Sequence, residues 1–258
     1  MENRQYGYLT HENDSVKIKM IEGQNISGFP IGILYVADLW YPMLPGNVVN
    51  GYTYDYPVRL MPMEGLDLAR LFRAEDELLE DLIKACKQLK REGVRAITAA
   101  CGFFGNYQSQ LAQAIDLPVA VSSLVQIPWI ATLLKPGQKI GVLTADQASL
   151  TDKLLRNCGV TDLNQLIIRD LRHAPEFSCI LEGRGEFDNG KVREEVVSAA
   201  MSILEEDKTV GAILLECSDM PPYASAVQEA TKLPVFDFIT LINWLHNSVC
   251  QTPYKGFV

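Results

Sequence analysis

Two of the six cysteines, Cys101 and Cys217, stand where a thiol can do chemistry. Each closes a short apolar run, Val94-Arg-Ala-Ile-Thr-Ala-Ala before Cys101 and Val210-Gly-Ala-Ile-Leu-Leu-Glu before Cys217. Each is followed by a turn, with Gly102 and Gly105 in the first and Pro221-Pro222 in the second. Apolar runs without alternation are the mark of strands buried on both faces of a parallel sheet, and such sheets bind ligands beyond the carboxyl ends of their strands. The helix expected after each turn begins with free N–H groups that favour a thiolate or a bound carboxylate. A free thiol titrates near ~8.5, and bringing it to about 7 takes roughly 2 kcal/mol. A helix N-terminus supplies about 0.3 to 1 kcal/mol, and up to about 2 when partly buried, so the turn accounts for much of the shift. Two thiols on opposite sides of one carbon suit a stereoinverting proton transfer, in which one removes an α-proton and the other donates to the far face. Thiol pKa values can be set near the operating pH, so the pair can exchange roles. The enolate that forms calls for N–H donors, which the glycine-rich Cys101 turn offers.

The competing reading is packing, because cysteine is among the most often buried residue types. For either cysteine taken singly, packing is the expectation. What turns the balance is an internal repeat. Val94–Cys101 overlays Val210–Cys217 without a gap, and at the same offset Tyr107 falls on Tyr223, Ser109 on Ser225, Ala114 on Ala230, and Leu117-Pro-Val119 on Leu233-Pro-Val235. A second echo matches Ile31-Gly-Ile-Leu34 to Ile140-Gly-Val-Leu143. The two cysteines are therefore equivalent positions in two copies of one unit, both at the ligand-binding end. Cys86 sits on the apolar stripe of a helix, and Cys158, Cys179 and Cys250 show no such coincidence; all four read as structural. Asp38, Thr144 and Asp146 lie just past strands, where they line the cleft or cap a turn. Phe103 and Phe104 form an apolar wall beside Cys101 or belong to the core. Asp219 orients an amine or caps the next helix, capping being the simpler role.

The elements that must position these residues follow from periodicity. Strands are expected at Ile31–Val36, Val94–Ala100, Pro118–Val121, Lys139–Thr144, Gln165–Arg169, Val210–Glu216 and Pro234–Asp237. Helices are expected at Asp67–Arg91 as one long amphipathic element, then from about Asn106, and at Leu124–Leu134, Leu150–Cys158, Val192–Glu206, Tyr223–Ala230 and Ile239–Val249. Strands alternating with helices mean an α/β fold with parallel sheets. The repeat makes it two pseudo-symmetric lobes, each a short, mostly parallel sheet flanked by helices, with the active site in the cleft between them. Residues 27–122 with 236–258 make the first lobe, 123–235 the second, and 1–26 a polar N-terminal extension. The irregular stretch from Tyr41 to Met63, rich in Pro, Gly, Asn and Tyr, is longer than a connector needs to be. Its aromatic part, Tyr41 to Tyr56, is the candidate for substrate selection or subunit contact, against the reading of a plain surface loop.

Composition excludes several classes. A net charge of −9 over 258 residues, with no Lys/Arg run, argues against nucleic acid, which needs clustered positive charge. No apolar run approaches the roughly 20 residues that span a bilayer, and the polar start lacks a signal-peptide core, so no membrane association and a cytoplasmic location are expected. The cysteines are widely spaced, with no C-x-x-C pair, and the three histidines, His11, His173 and His246, are isolated; no disulfide framework or metal site is suggested. Neither Gly32 nor Gly141 opens a G-x-G-x-x-G turn, which argues against a dehydrogenase.

At Ala100-Cys-Gly-Phe-Phe-Gly105, Leu215-Glu-Cys-Ser-Asp-Met220 and the opening strand of each half, the sequence resembles the aspartate/glutamate racemase superfamily, with its hydantoin racemase, maleate isomerase and arylmalonate decarboxylase relatives. Pro45-Gly-Asn-Val-Val-Asn50 and Tyr56-Pro-Val58 look like a subgroup labelled only as racemase-like. The resemblance spans about Ile31 to Trp244. It implies two pseudo-symmetric lobes, no cofactor, a homodimer, and Cys101 and Cys217 as paired bases acting on a small carboxylate or amino-acid-like substrate. It also implies that Ser218 holds the substrate carboxylate or amine. Gly102-Phe103 stands where amino-acid racemases commonly have Asn-Thr, and Ser218 where they commonly have Thr, which counts against an ordinary amino acid. The expectation is thus a cofactor-independent racemase or epimerase, an isomerase with Gly102, Phe103, Ser218, Asp38, Thr144 and Asp219 around its substrate. Its alternatives are a cysteine-dependent isomerase or decarboxylase on the same fold, or a non-catalytic protein that binds a small carboxylate.

Overall fold

The computed structural model describes residues 17–18, 20 and 22–258. The polar N-terminal stretch, 1–26, lies largely outside the described residues, as does His11. Two four-stranded sheets are built from β1 (Ile31–Val36), β2 (Val58–Met63), β3 (Ala96–Ala100) and β4 (Val119–Ala120), and from β5 (Lys139–Thr144), β6 (Leu166–Asp170), β7 (Val210–Leu215) and β8 (Val235–Phe236). Their spatial orders are β2-β1-β3-β4 and β6-β5-β7-β8, with every pairing parallel. The orders are the same in the two copies. This is the two-lobed α/β architecture that the repeat implied.

Alternation along β1 sorts its side chains to two cores. Leu34 and Val36 pack with Leu82, Cys86 and Leu89 of the helix α2 (Leu78–Arg91). Ile31 and Ile33 pack with Phe238, Leu241, Ile242 and Leu245 of α9 (Phe238–Val249), so the last helix of the chain covers the first sheet. One face of the second sheet, Ile213 and Leu215, packs on Val192, Val196, Ala200 and Ile203 of α7 (Asn189–Glu206). Its other face, Ile140, Val142 and Leu214, joins the first lobe's core, together with Ile127 and Ile130 of α4 (Ile127–Leu133) and Leu154 and Leu155 of α5 (Asp152–Asn157). Among the described residues no helix is long and apolar enough to cross a membrane.

Three elements differ from the periodicity. The helix expected over Asp67–Arg91 is broken into α1 (Leu68–Phe72) and α2, with Ala74 between them at φ 54°. The apolar spacing runs on through the break, but Glu75 is drawn in by Arg70 and Arg73 at 2.7 and 2.6 Å. The stretch from Tyr41 to Met63 ends in a strand, β2, whose Pro62 hides it in sequence. β2 lies at the sheet edge, where a residue without an N–H is tolerated. A short helix, α6 (Cys179–Glu182), was not expected. After Cys101 the backbone forms a 3-10 turn, Gly102–Tyr107, and α3 starts only at Gln108 and ends at Ala114. The later helix α8 runs Ala224–Thr231.

Candidate active site

β3 ends one residue before Cys101 and β7 two residues before Cys217. β1/β3 and β5/β7 are the neighbours at which each strand order switches direction, the place where open α/β sheets bind ligands. Cys101 is partly exposed and Cys217 is buried, at 7%. The first thiol is close enough to act electrostatically on the second. Each sulfur accepts a backbone N–H from two residues further on, Phe103 for Cys101 and Asp219 for Cys217. The duplication is thus preserved in the hydrogen bonding of the thiols.

The turns do not lower the thiol pKa values as the helix-terminus argument expected. Burial raises Cys101, Glu216 adds to it, and the Phe103 N–H only partly opposes. Burial also raises Cys217, with Asp219 and Glu216 adding, against the Asp219 N–H. No α-helix starts at Cys101: the 3-10 turn there uses the Phe103 N–H on sulfur and the Phe104 N–H on the Cys101 carbonyl, at 3.2 Å. Burial alone lifts Cys86 as well, to about 12. Two carboxyls, Glu216 and Asp219, act together on each thiol of the pair.

Asp219 is the hub of the second half of the site. Its carboxylate accepts from the Cys217 thiol and from the Ser218 hydroxyl, each at 3.4 Å, and from the Asn47 amide and the Tyr41 hydroxyl. It caps no helix: the turn Pro221–Tyr223 starts after Met220 and has no side-chain cap. Burial raises the Asp219 carboxyl despite these four donors. Tyr41, which packs with Leu44 against the second lobe's core, is also raised by burial and by Asp219. The aromatic stretch is therefore not a plain surface loop, since Val48 N–H also donates to Ser218 O at 3.4 Å. A narrow pocket lined by Tyr41, Phe177, Asp219 and Tyr223 adjoins this carboxyl; neither cysteine lines it.

Glu216 was not singled out by sequence reasoning, yet it is fully buried beside both thiols. In the overlay of the two halves it falls on Ala100. A carboxyl replacing a methyl at the end of an apolar strand is the signal that could have found it. Thr144, at the end of β5, donates to Glu216 Oε2 at 2.8 Å and so joins the site through that carboxyl. Asp146 accepts from Ala148 N–H as a turn cap and pairs with Arg172. Gly102 lies against Glu216. The Phe103 ring packs in the core against Phe72, with centroids 4.3 Å apart, and only its N–H faces the cysteine. Asp38 sits exposed in the turn after β1, apart from this network. The structure thus gathers Cys101, Gly102, Thr144, Cys217, Ser218 and Asp219. Among the described residues no group of three or more His, Cys, Asp and Glu could hold a metal ion.

The family model for Asp/Glu/hydantoin racemases matches residues 63–245. The chain belongs to this family. The dimethylsulfoniopropionate lyase 7 of Emiliania huxleyi (strain CCMP1516) is 32% identical over 229 residues, which cover 85% of this chain and 67% of that protein. An aspartate racemase homologue from Pyrococcus horikoshii OT3 superposes with a TM-score of 0.54 at 18% identity, covering 85% of this chain and 98% of its own. The allantoin racemase of Pseudomonas fluorescens gives 0.54 at 17%, covering 88% and 98%. These two solved structures share the fold. The relatives of higher identity carry the name of a lyase, so membership in the racemase family does not make this chain an isomerase.

Proposed function

We propose that the protein is a cofactor-independent lyase that eliminates a neutral sulfide from a β-sulfonium propionate of the dimethylsulfoniopropionate type. The observation that carries this reading is electrostatic: the charged groups acting most strongly on both thiols are carboxyls, Glu216 and Asp219. A site of that sign repels an aspartate or glutamate side chain and accepts a cation. A positive charge about 5 Å from a thiolate, at an effective dielectric near 20, stabilises it by roughly 3 kcal/mol, or about two pKa units. A bound sulfonium therefore adds a positive charge beside the base and favours its ionisation.

In the step proposed, the Cys101 thiolate takes the α-proton. The electron pair of that C–H bond becomes the Cα–Cβ double bond, and the Cβ–S bond breaks with its pair leaving on sulfur. Dimethyl sulfide and acrylate result, and Cys101 returns its proton to water. Cys101 is given the base role because it is the more exposed thiol. Asp219, with the Tyr41 ring beside it, is the group offered to the sulfonium; cations of this kind are held by aromatic faces as well as by carboxylates. The relatives named as dimethylsulfoniopropionate lyases support this choice of substrate.

A second reading is racemisation, favoured by the equivalence of the two thiols. One experiment separates them. Protein incubated in deuterium oxide is assayed for dimethyl sulfide from dimethylsulfoniopropionate, and by proton NMR for α-proton loss from amino acids and hydantoins. Sulfide release without exchange in the panel is the expected result; exchange with no sulfide release moves the assignment to racemase.

A further inference from the structure

Glu216 is the only charged residue among the described ones with no exposed surface. Its Oε2 accepts from Thr144 and the Ala145 N–H acts on the carboxyl, while Oε1 is buried without a hydrogen-bond partner. That bare oxygen presses on the first lobe: a Cβ placed on Gly102 would lie 1.6 Å from it. A carboxyl on the second lobe thus reaches the peptide that follows Cys101, and only a glycine there lets it. Packing does not require this, since the equivalent position in the first half is Ala100. A buried ionised carboxylate with one oxygen unpaired is costly, whereas the neutral acid tolerates the site.

Resting on the elimination reading, we propose that Glu216 is a positioning residue that works as a neutral acid, allowing Cys101 to ionise while protonated and holding it as a thiol when ionised. The titratable groups facing it are Cys101 from the first lobe, Cys217 and Asp219 from its own turn, Asp146 after β5, and Cys158 after α5. All are acids, and Asp146 is already paired with Arg172. Burial, with Asp146 and Asp219, brings Glu216 up to about 7 against the pull of Thr144 and the Ala145 N–H. Its charge therefore changes in the range where the enzyme has to work.

The test reads Cys101 directly and needs no substrate. The pH dependence of its alkylation by iodoacetamide, located by mass spectrometry, is compared in wild type, Glu216→Gln and Thr144→Val. Removing a like charge shifts a neighbour by about one unit or more, so Glu216→Gln is expected to move the Cys101 midpoint down by that much. This is about tenfold more thiolate at a fixed lower pH. Thr144→Val removes the donor to Oε2, keeps Glu216 protonated to higher pH, and moves Cys101 the same way. It also stands in if Glu216→Gln fails to fold. A midpoint left in place by either folded variant overturns the proposal, leaving Glu216 with a packing role. Because alkylation is independent of turnover, a shifted Cys101 without sulfide release fails the elimination reading alone, and sulfide release with an unshifted Cys101 fails this proposal alone.

Discussion

At the residue scale, the site puts two thiols and two carboxyls into one buried volume with few donors to share. General acid–base groups contribute about 10² to 10⁴ in rate. Cys101→Ala is expected to lower kcat by that range without changing the thermal midpoint by more than a few degrees, measured by sulfide release and calorimetry. Glu216 gives a sharper stability prediction. Its pKa is raised from 4.5 to about 7, so the folded state binds the proton more tightly than the unfolded one. The stability this confers is full below 4.5 and is lost as pH rises through about 7, an effect of about 3 kcal/mol. Glu216→Gln cannot titrate, so its stability relative to wild type should rise by that order between pH 4.5 and pH 8 in urea denaturation. A difference independent of pH would mean that Glu216 is not buried in this manner. The two cysteines were legible because the repeat aligns them. Tyr41, Asn47 and Asp219 meet only through contacts between distant segments, and Asp219 read as a cap because a short acidic residue before a proline turn looks like one.

At the scale of elements, the segment from Tyr41 to Tyr54 carries first-lobe chain across to the second-lobe site. Gly46 sets that crossing: it has φ +102°, and a Cβ there would lie 3.0 Å from the Pro222 backbone. Its N–H donates to Thr53 Oγ1 at 2.9 Å, and Thr53 donates to Asn47 O at 2.7 Å, which holds the Asn47 amide toward Asp219. Gly46→Ala should cost of order 1 to 3 kcal/mol, lowering the thermal midpoint by about 3 to 10 °C, and should reduce kcat/KM by weakening the hold on Asp219. Gly51→Ala in the same segment meets nothing within 4 Å, and both measurements should stay at wild-type values. The sequence pattern marked this segment as functional without saying what it touches, because turn residues report local geometry only. The same limit hid the α1/α2 break, where apolar spacing continued across a kink at Ala74. Strands such as β3 and β7 were readable because full burial on both faces writes itself as an apolar run.

For the whole molecule, the question is whether the two lobes are independent units. Their shared core argues against it: Leu34 and Ile97 of the first sheet belong to one cluster with Ile140, Val142 and Leu214 of the second. The chain also crosses back, with α9 leaving β8 of the second sheet to cover Ile31 and Ile33 of the first. A cleft whose acid–base groups come from both sides needs that coupling, since a shift of about 1 Å between Gly102 and Glu216 would separate the groups that set the Cys101 charge. A single calorimetric transition is therefore expected. The contribution of α9 can be judged by magnitude: Phe238, Leu241, Ile242, Leu245 and Val249 are buried, and at about 1.5 to 3 kcal/mol each they supply roughly 10 kcal/mol. That equals the whole net stability of a typical domain, about 5 to 15 kcal/mol. A chain ending at Asp237 should show no cooperative melt, although it retains every residue of the site. One ending at Cys250 sheds only the exposed residues 251–258 and should melt like wild type. A truncated chain that still melts cooperatively, with both thiols alkylated as in wild type, would mean that the second lobe holds the cleft without the helix that ties it to the first.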